Sequence, residues 1–84
     1  MTYREDAHTL ERDLGAVPGV RYAALRWPAP GQVEVGVVLD SDDLDVRATV
    51  IELIDDFHRK HVREISLDFD IVDAEHADSL FAHA

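Results

Sequence analysis

Two histidines three positions apart, His58 and His61, are the residues best suited to chemistry in this sequence. Side chains at positions i and i+3 share a helix face, so two imidazoles there can chelate a divalent ion such as Zn²⁺. Further candidate ligands are Asp55, one turn before His58, and the more distant Asp68, Asp70 and His76. The two histidines also suit a structural role, because His61 falls within an apolar stripe and positive charge near a helix end suits the helix dipole.

Asp68 and Asp70 form a second candidate pair, since they alternate with apolar residues and would project from one strand face about 7 Å apart. Paired carboxylates can do acid–base work, although without a pocket or an apolar wall a solvated strand face is the simpler explanation. The sequence has no glycine-rich phosphate loop, no GxSxG motif and no nucleophile beside a base. We therefore predict that the chain is not an enzyme and that it requires no cofactor, with Zn²⁺ as the one candidate ligand.

A helix predicted over residues 44–61 must position these histidines. Its apolar residues recur with helical spacing and form one stripe of Val46, Val50, Leu53, Ile54 and Phe57. The acidic segment 40–45 precedes it, where carboxylates are favoured by the free N–H groups of a helix start.

Shorter elements surround this helix. A first helix is predicted over residues 3–14, begun by a capping box of Thr2 and Glu5 and ended by Gly15 and Pro18. Strands follow over 20–27 and 32–39, joined by a turn that contains Pro28, Pro30 and Gly31. The segment 64–72 is a third strand with Ile65, Leu67, Phe69 and Ile71 facing inward. Asp73 can then cap a short last helix that carries Ala77, Leu80 and Phe81.

These elements predict an α+β fold: a ferredoxin-like αββαβ(α) two-layer module, with two helices on one face of a three-stranded sheet, as a single domain over residues 1–84. The third strand can pair with either the first or the second. The face away from the helices is a candidate interface, since a bare sheet face or edge invites a partner. Its candidate residues are Tyr22, Trp27, Val38, Asp68 and Asp70, with Tyr22 as the alternative to Leu25 and Trp27 in the first strand.

Composition limits the possible partners. The chain has 84 residues, no cysteine, 18 acidic and 8 basic side chains and a net charge of −10. This charge repels phosphate backbones and anionic lipids, so nucleic acid is not an expected partner. The sequence has no apolar run that could span a membrane and no recognisable signal peptide, and we expect a cytoplasmic protein without membrane insertion.

The segment LERDLGAVPGVRYAALRW, followed by a valine-rich strand and an acidic helix start, resembles two families of αββαβ modules over residues 10–72. One is the alkaline-shock protein family, in which a Val-Pro-Gly-Val segment such as residues 17–20 links the first helix to the hairpin. The other is the cytoplasmic C-terminal domain of cation diffusion facilitators. The first resemblance implies an oligomerising, stress-associated protein without catalysis, and the second implies dimerisation with regulatory metal. Arg47 and Ala48 stand where the second family tends to carry Ala-His.

The sequence thus predicts a small non-catalytic interaction or oligomerisation module, either a homodimer or an accessory subunit of a larger assembly. The alternative is a metal-responsive or pH-responsive domain that uses His58 and His61 with nearby carboxylates. Protonation of all five histidines would offset half of the net charge of −10, so acidification could alter association.

Overall fold

The computed structural model describes residues 3–79 and confirms the predicted α+β class. Two α-helices pack on a three-stranded sheet, and a 3₁₀ helix follows the last strand. In chain order the elements are α1 (Tyr3–Ala16), β1 (Val20–Arg26), β2 (Gln32–Leu39), α2 (Leu44–Lys60), β3 (Ser66–Asp73) and the 3₁₀ helix (Ala74–Ser79). No helix within residues 3–79 is both long and apolar enough to cross a membrane.

The sheet has the strand order β1-β2-β3. β1 pairs with β2 in antiparallel fashion and β3 pairs with β2 in parallel fashion, which settles the partner of the third strand. A parallel pair needs a crossover connection, and α2 supplies it. β2 is therefore the central strand, and β1 and β3 are the two edges.

The core lies between one face of β2 and both helices. The predicted alternation of β2 is confirmed, because Val33, Val35, Val37 and Leu39 are each at most 1% exposed. The side chains packed over them come from both helices and share one apolar cluster, so both helices cover the same sheet face. The buried helix residues are Ala7, Leu10 and Leu14 of α1 and Val50, Ile54 and Phe57 of α2.

The turn between α1 and β1 depends on a glycine. Gly19 has a φ of 95°, in the left-handed region that L side chains rarely adopt. A Cβ placed there would lie 2.8 Å from Cγ2 of Val46, so the turn also packs directly against α2. The Gly19 carbonyl accepts a hydrogen bond from the Asp40 N–H at 2.9 Å, which ties the turn to the end of β2.

Several predicted boundaries were slightly wrong. α1 continues through Gly15 to Ala16, because Gly15 does not adopt the positive φ of a helix-ending glycine. β1 ends at Arg26 rather than at residue 27. Asp43 caps α2, since its Oδ1 accepts from the N–H groups of residues 45 and 46 at 2.8 and 3.2 Å. The predicted roles of Thr2, Leu80 and Phe81 lie outside the described residues.

Substitution of two glycines by alanine should change stability in opposite directions. We expect Gly19→Ala to lower the free energy of unfolding by about 1–3 kcal/mol, through backbone strain and the contact with Val46. Gly15→Ala, in a helix position with nothing within 4 Å of the new Cβ, should raise it by about 0.5–1 kcal/mol. Urea denaturation measures both, and equal effects of the two substitutions would contradict this account of the turn.

Candidate interaction surface

His61 is a buried structural residue in this fold. It follows the last residue of α2, is 7% exposed, and its ring lies 5.3 Å from that of Phe57. Its Nε2 lies 2.6 Å from Oδ2 of Asp6 on α1. An ionised carboxylate can only accept a hydrogen bond, so Nε2 donates. The bond joins the start of α1 to the end of α2.

The side chains at the predicted histidine site are not arranged to bind a metal ion. The Nε2 of His61 is hydrogen-bonded to Asp6. Its Nδ1 is buried, lies 3.6 Å from Oε2 of Glu64 and has no hydrogen bond to any of the described residues. His58 is half-buried one turn earlier. Across residues 3–79, no three histidine, aspartate or glutamate side chains are grouped so that they could hold a metal ion.

The sheet face away from the helices brings together part of the predicted interface. Tyr22 is 54% exposed on this face, whereas Leu25 is in the core, which decides between the two alternatives for β1. Val38, the register partner of Tyr22, is 4% exposed and offers almost no area to a partner. Val72 of β3 is the other register partner of Val38, and the 3₁₀ helix packs against both β2 and β3. These contacts explain why Val38 is buried.

The carboxylates of β3 lie on that same face. Asp68 is exposed and stands in register with Glu34 of β2, while Asp70 is half-buried beside Gly36. Glu34 is paired with Arg26 of β1 at 2.9 Å. The face is therefore acidic along β3 and charge-balanced between β1 and β2.

Trp27 closes one end of the core. Its side chain is half-buried and packs against the core cluster, with its ring 6.2 Å from that of His8. Its Nε1 is buried and has no hydrogen-bond partner among residues 3–79. The structure thus places Trp27 at the end of the helix–sheet interface, away from Asp68 and Asp70 on the acidic strand.

The exposed apolar side chains concentrate on a different surface. Within the described residues five large apolar side chains are exposed, and four of them belong to α2, β3 or the turn between them. We call these four the α2–β3 flank: Leu44 (76% exposed), Ile51 (39%), Val62 (59%) and Phe69 (49%). Tyr22, on the opposite sheet face, is the fifth.

Helix geometry places two of these residues on the side of α2 that faces β3. Leu44 and Ile51 are two turns apart on one side of α2. Arg47, between them, donates from Nη1 to the Ile71 carbonyl at 3.4 Å, so this side of α2 faces β3. Ile51 therefore lies on the side of the helix next to the edge strand.

Phe69 was expected to face inward, and this expectation was only partly right. It stands in register with the buried Val35, on the face that the helices cover, and its neighbours Leu67 and Ile71 pack against the core. Its own ring nevertheless remains half exposed, because within residues 3–79 β3 is an edge strand with no further strand beside it. Sequence alternation shows which face a residue occupies but not whether the strand lies at an edge.

The outer edge of β3 presents backbone groups as well as side chains. The N–H of Ser66 donates to the Gly31 carbonyl at 2.8 Å, toward β2. Because successive residues in a strand direct their N–H and C=O groups to opposite sides, those of Leu67, Phe69 and Ile71 point away from β2. The contact of Arg47 with the Ile71 carbonyl agrees with this assignment. The backbone of Leu67 and Phe69 is thus directed to the open side.

Sequence reasoning missed the flank. Ile51 lies off the main apolar stripe of α2, and Leu44 lies in the acidic helix start, so both look like isolated surface residues. The available signal was a second set of apolar positions on α2, at residues 44, 48 and 51, next to an apolar Val62. This second set of positions can be interpreted only once β3 is known to lie beside α2.

Removal of the Asp6 carboxylate should destabilise the fold by leaving His61 buried without a partner. We expect Asp6→Ala to lower the free energy of unfolding by about 1–3 kcal/mol. Asp6→Asn keeps an accepting oxygen and should recover part of that loss. Asp56→Ala, which removes an exposed ion pair with Arg59, should change stability by less than about 0.5 kcal/mol. Equal losses in Asp6→Ala and Asp56→Ala, measured by urea denaturation, would contradict this role.

The exposed pair of Asp73 and His76 should show a measurable pH response. Their side-chain hydrogen bond, 2.7 Å long, raises the pKa of His76 and lowers that of Asp73. The pair therefore stabilises the 3₁₀ helix most between these two pKa values. The Asp73 contribution is lost as pH falls through its lowered pKa, and the His76 contribution is lost as pH rises through its raised pKa. In an NMR titration, Asp73→Asn should lower the pKa of His76, and an unchanged value would contradict the pairing.

No protein-family model, curated protein or solved structure matches this chain. The resemblance to the alkaline-shock family and to the cation diffusion facilitator domain therefore stays a hypothesis.

Proposed function

We propose that this protein is a non-catalytic association module that works as an accessory subunit, and that the α2–β3 flank is its binding surface. The observation that supports this best is the presence of four exposed apolar side chains on α2, β3 and the turn between them, beside an edge of β3 with which no other strand within residues 3–79 pairs. Large exposed apolar side chains beside a strand edge are typical of a surface that associates with another chain.

The ionisable groups that sequence analysis singled out support a structural rather than a catalytic role. His61 is held by Asp6 within the fold, and His76 is bonded to Asp73 on the surface. Asp68 and Asp70 stand on an open strand face without the apolar enclosure that tunes catalytic carboxylates. The features best suited to function are therefore apolar and backbone groups, which bind rather than react.

Charge favours a different protein over a second copy as the partner. Each chain carries a net charge of −10, so two copies repel each other at long range. A partner with basic residues around an apolar centre would be attracted to the same surface. Of the two forms of association expected from the sequence, homodimer and accessory subunit, the second fits this charge better.

Photo-crosslinking in the native host tests the surface while the partner is still unidentified. A benzoylphenylalanine is introduced at Phe69 in one variant and at Tyr22 in another. These two aromatic residues are similarly exposed, at 49% and 54%, and lie on opposite sheet faces. We expect a discrete adduct of higher mass from position 69 and none from position 22, because only the first lies on the flank.

The mass of the adduct identifies the kind of partner. An increase that differs from the mass of this chain supports an accessory subunit, whereas an increase equal to one further copy contradicts it and indicates a homodimer. The absence of an adduct at position 69, or equal adducts at both positions, contradicts the proposed surface.

A further inference from the structure

We infer that the open edge of β3 binds an extended segment of the partner in which basic and apolar residues alternate, so that the segment becomes a fourth strand of the sheet. This inference rests on the proposed function and specifies the chemistry of the partner. It follows from three features of β3: the direction of its free backbone groups, the different character of its two faces, and the carboxylate repulsion that opposes three symmetric registers of self-pairing.

The backbone of β3 is suited to strand addition. The outward N–H and C=O groups of Leu67 and Phe69 lie on the side of β3 away from β2, and within residues 3–79 the sheet contains no strand beyond β3. Main-chain hydrogen bonds to such an edge provide affinity in strand addition, and alternate side chains provide specificity. At the far end, Arg47 already donates to the Ile71 carbonyl, so the available edge is short and lies toward the start of the strand.

The two faces of β3 require different side chains from an added strand. Leu67, Phe69 and Ile71 form an apolar row on the helix side of β3. Asp68 and Asp70 form an acidic row on the opposite face. Side chains of paired strands that face the same way lie next to each other across the sheet. A complementary segment therefore places apolar residues beside Phe69 and lysine or arginine beside the two carboxylates.

A second copy of β3 is a poor occupant of the same edge. In an antiparallel pair with a two-fold axis at Phe69, Asp68 stands opposite Asp70 of the other copy. With the axis at Asp68 or at Asp70, that carboxylate stands opposite its own equivalent. Like charges directly opposite each other destabilise a strand pair, and charged residues on an edge are a common protection against self-pairing. Each of these three symmetric registers thus opposes homodimerisation through this edge.

A synthetic peptide tests the inference directly. The probe is fluorescein-labelled Lys-Val-Lys-Val-Lys-Val-Lys, and its binding to the full chain is measured by fluorescence anisotropy. We expect saturable binding that weakens as salt rises and no binding of the matched Glu-Val-Glu-Val-Glu-Val-Glu peptide. A lysine–valine peptide that is N-methylated at every backbone amide keeps the charge but has no backbone N–H to donate from either edge, and it should bind at least about tenfold more weakly, a loss of about 1.4 kcal/mol.

Two matched double variants distinguish the effect of the β3 carboxylates on peptide binding from the effect of the overall net charge. Asp68→Asn with Asp70→Asn should weaken binding of the lysine–valine peptide at least about tenfold. Glu5→Gln with Asp13→Asn also removes two negative charges, but from exposed positions on α1, distant from β3. This double variant should change binding of the lysine–valine peptide less than about twofold. Circular dichroism confirms that both double variants are folded. Equal losses in the two double variants, or equal binding of the N-methylated peptide, would overturn strand addition.

The outcomes also separate this inference from the proposed function. If the lysine–valine peptide fails to bind while the benzoylphenylalanine at position 69 still gives its adduct, the flank binds a partner but not by strand addition. If both experiments fail, the proposed function fails as well.

Discussion

The rest of the structure depends on the burial of one face of β2. Val33, Val35, Val37 and Leu39 are almost completely excluded from solvent, and no other element within residues 3–79 contributes so many fully buried side chains. This strand is hydrogen-bonded on both sides and covered by both helices, so the loss of any neighbouring element would expose part of it. For a chain of 84 residues, which buries a smaller fraction of its surface than a larger domain, this one apolar row is a large share of the available stabilisation.

The same arrangement explains why the molecule has two different flanks. α1 packs against β1 and against α2, and Trp27 closes the end of that side. On the side formed by α2 and β3, the 3₁₀ helix is the only further helix or strand of the described chain. Apolar residues on this side therefore contact the core on one side and solvent on the other. Phe69 and Ile51 lie at this edge of the core, with about half and about two fifths of their surface exposed. Exposed apolar area therefore arises here without any additional structural element.

The parts that could be predicted from sequence are those decided by local periodicity. Alternation identified β2 to the residue, and helical spacing identified the buried stripe of α2. Strand order could not be predicted, because it depends on which strand the crossover reaches. The bond between Asp6 and His61 could not be predicted either, since it joins residues 55 positions apart and nothing local to either residue indicates the other. The exposure of Phe69 depends on strand order and was missed for the same reason.

The distance in sequence between Asp6 and His61 has a consequence for synthesis of the chain. The ribosome completes α1 first, but the strands that cover Ala7, Leu10 and Leu14 come later, and His61 is added 55 residues after Asp6. The apolar face of the first helix therefore lacks its final partners until the chain through His61 has emerged. Folding as a single unit only after that point leaves this nascent helix accessible to chaperones and proteases, so the residues that complete the fold also determine how long the helix is vulnerable.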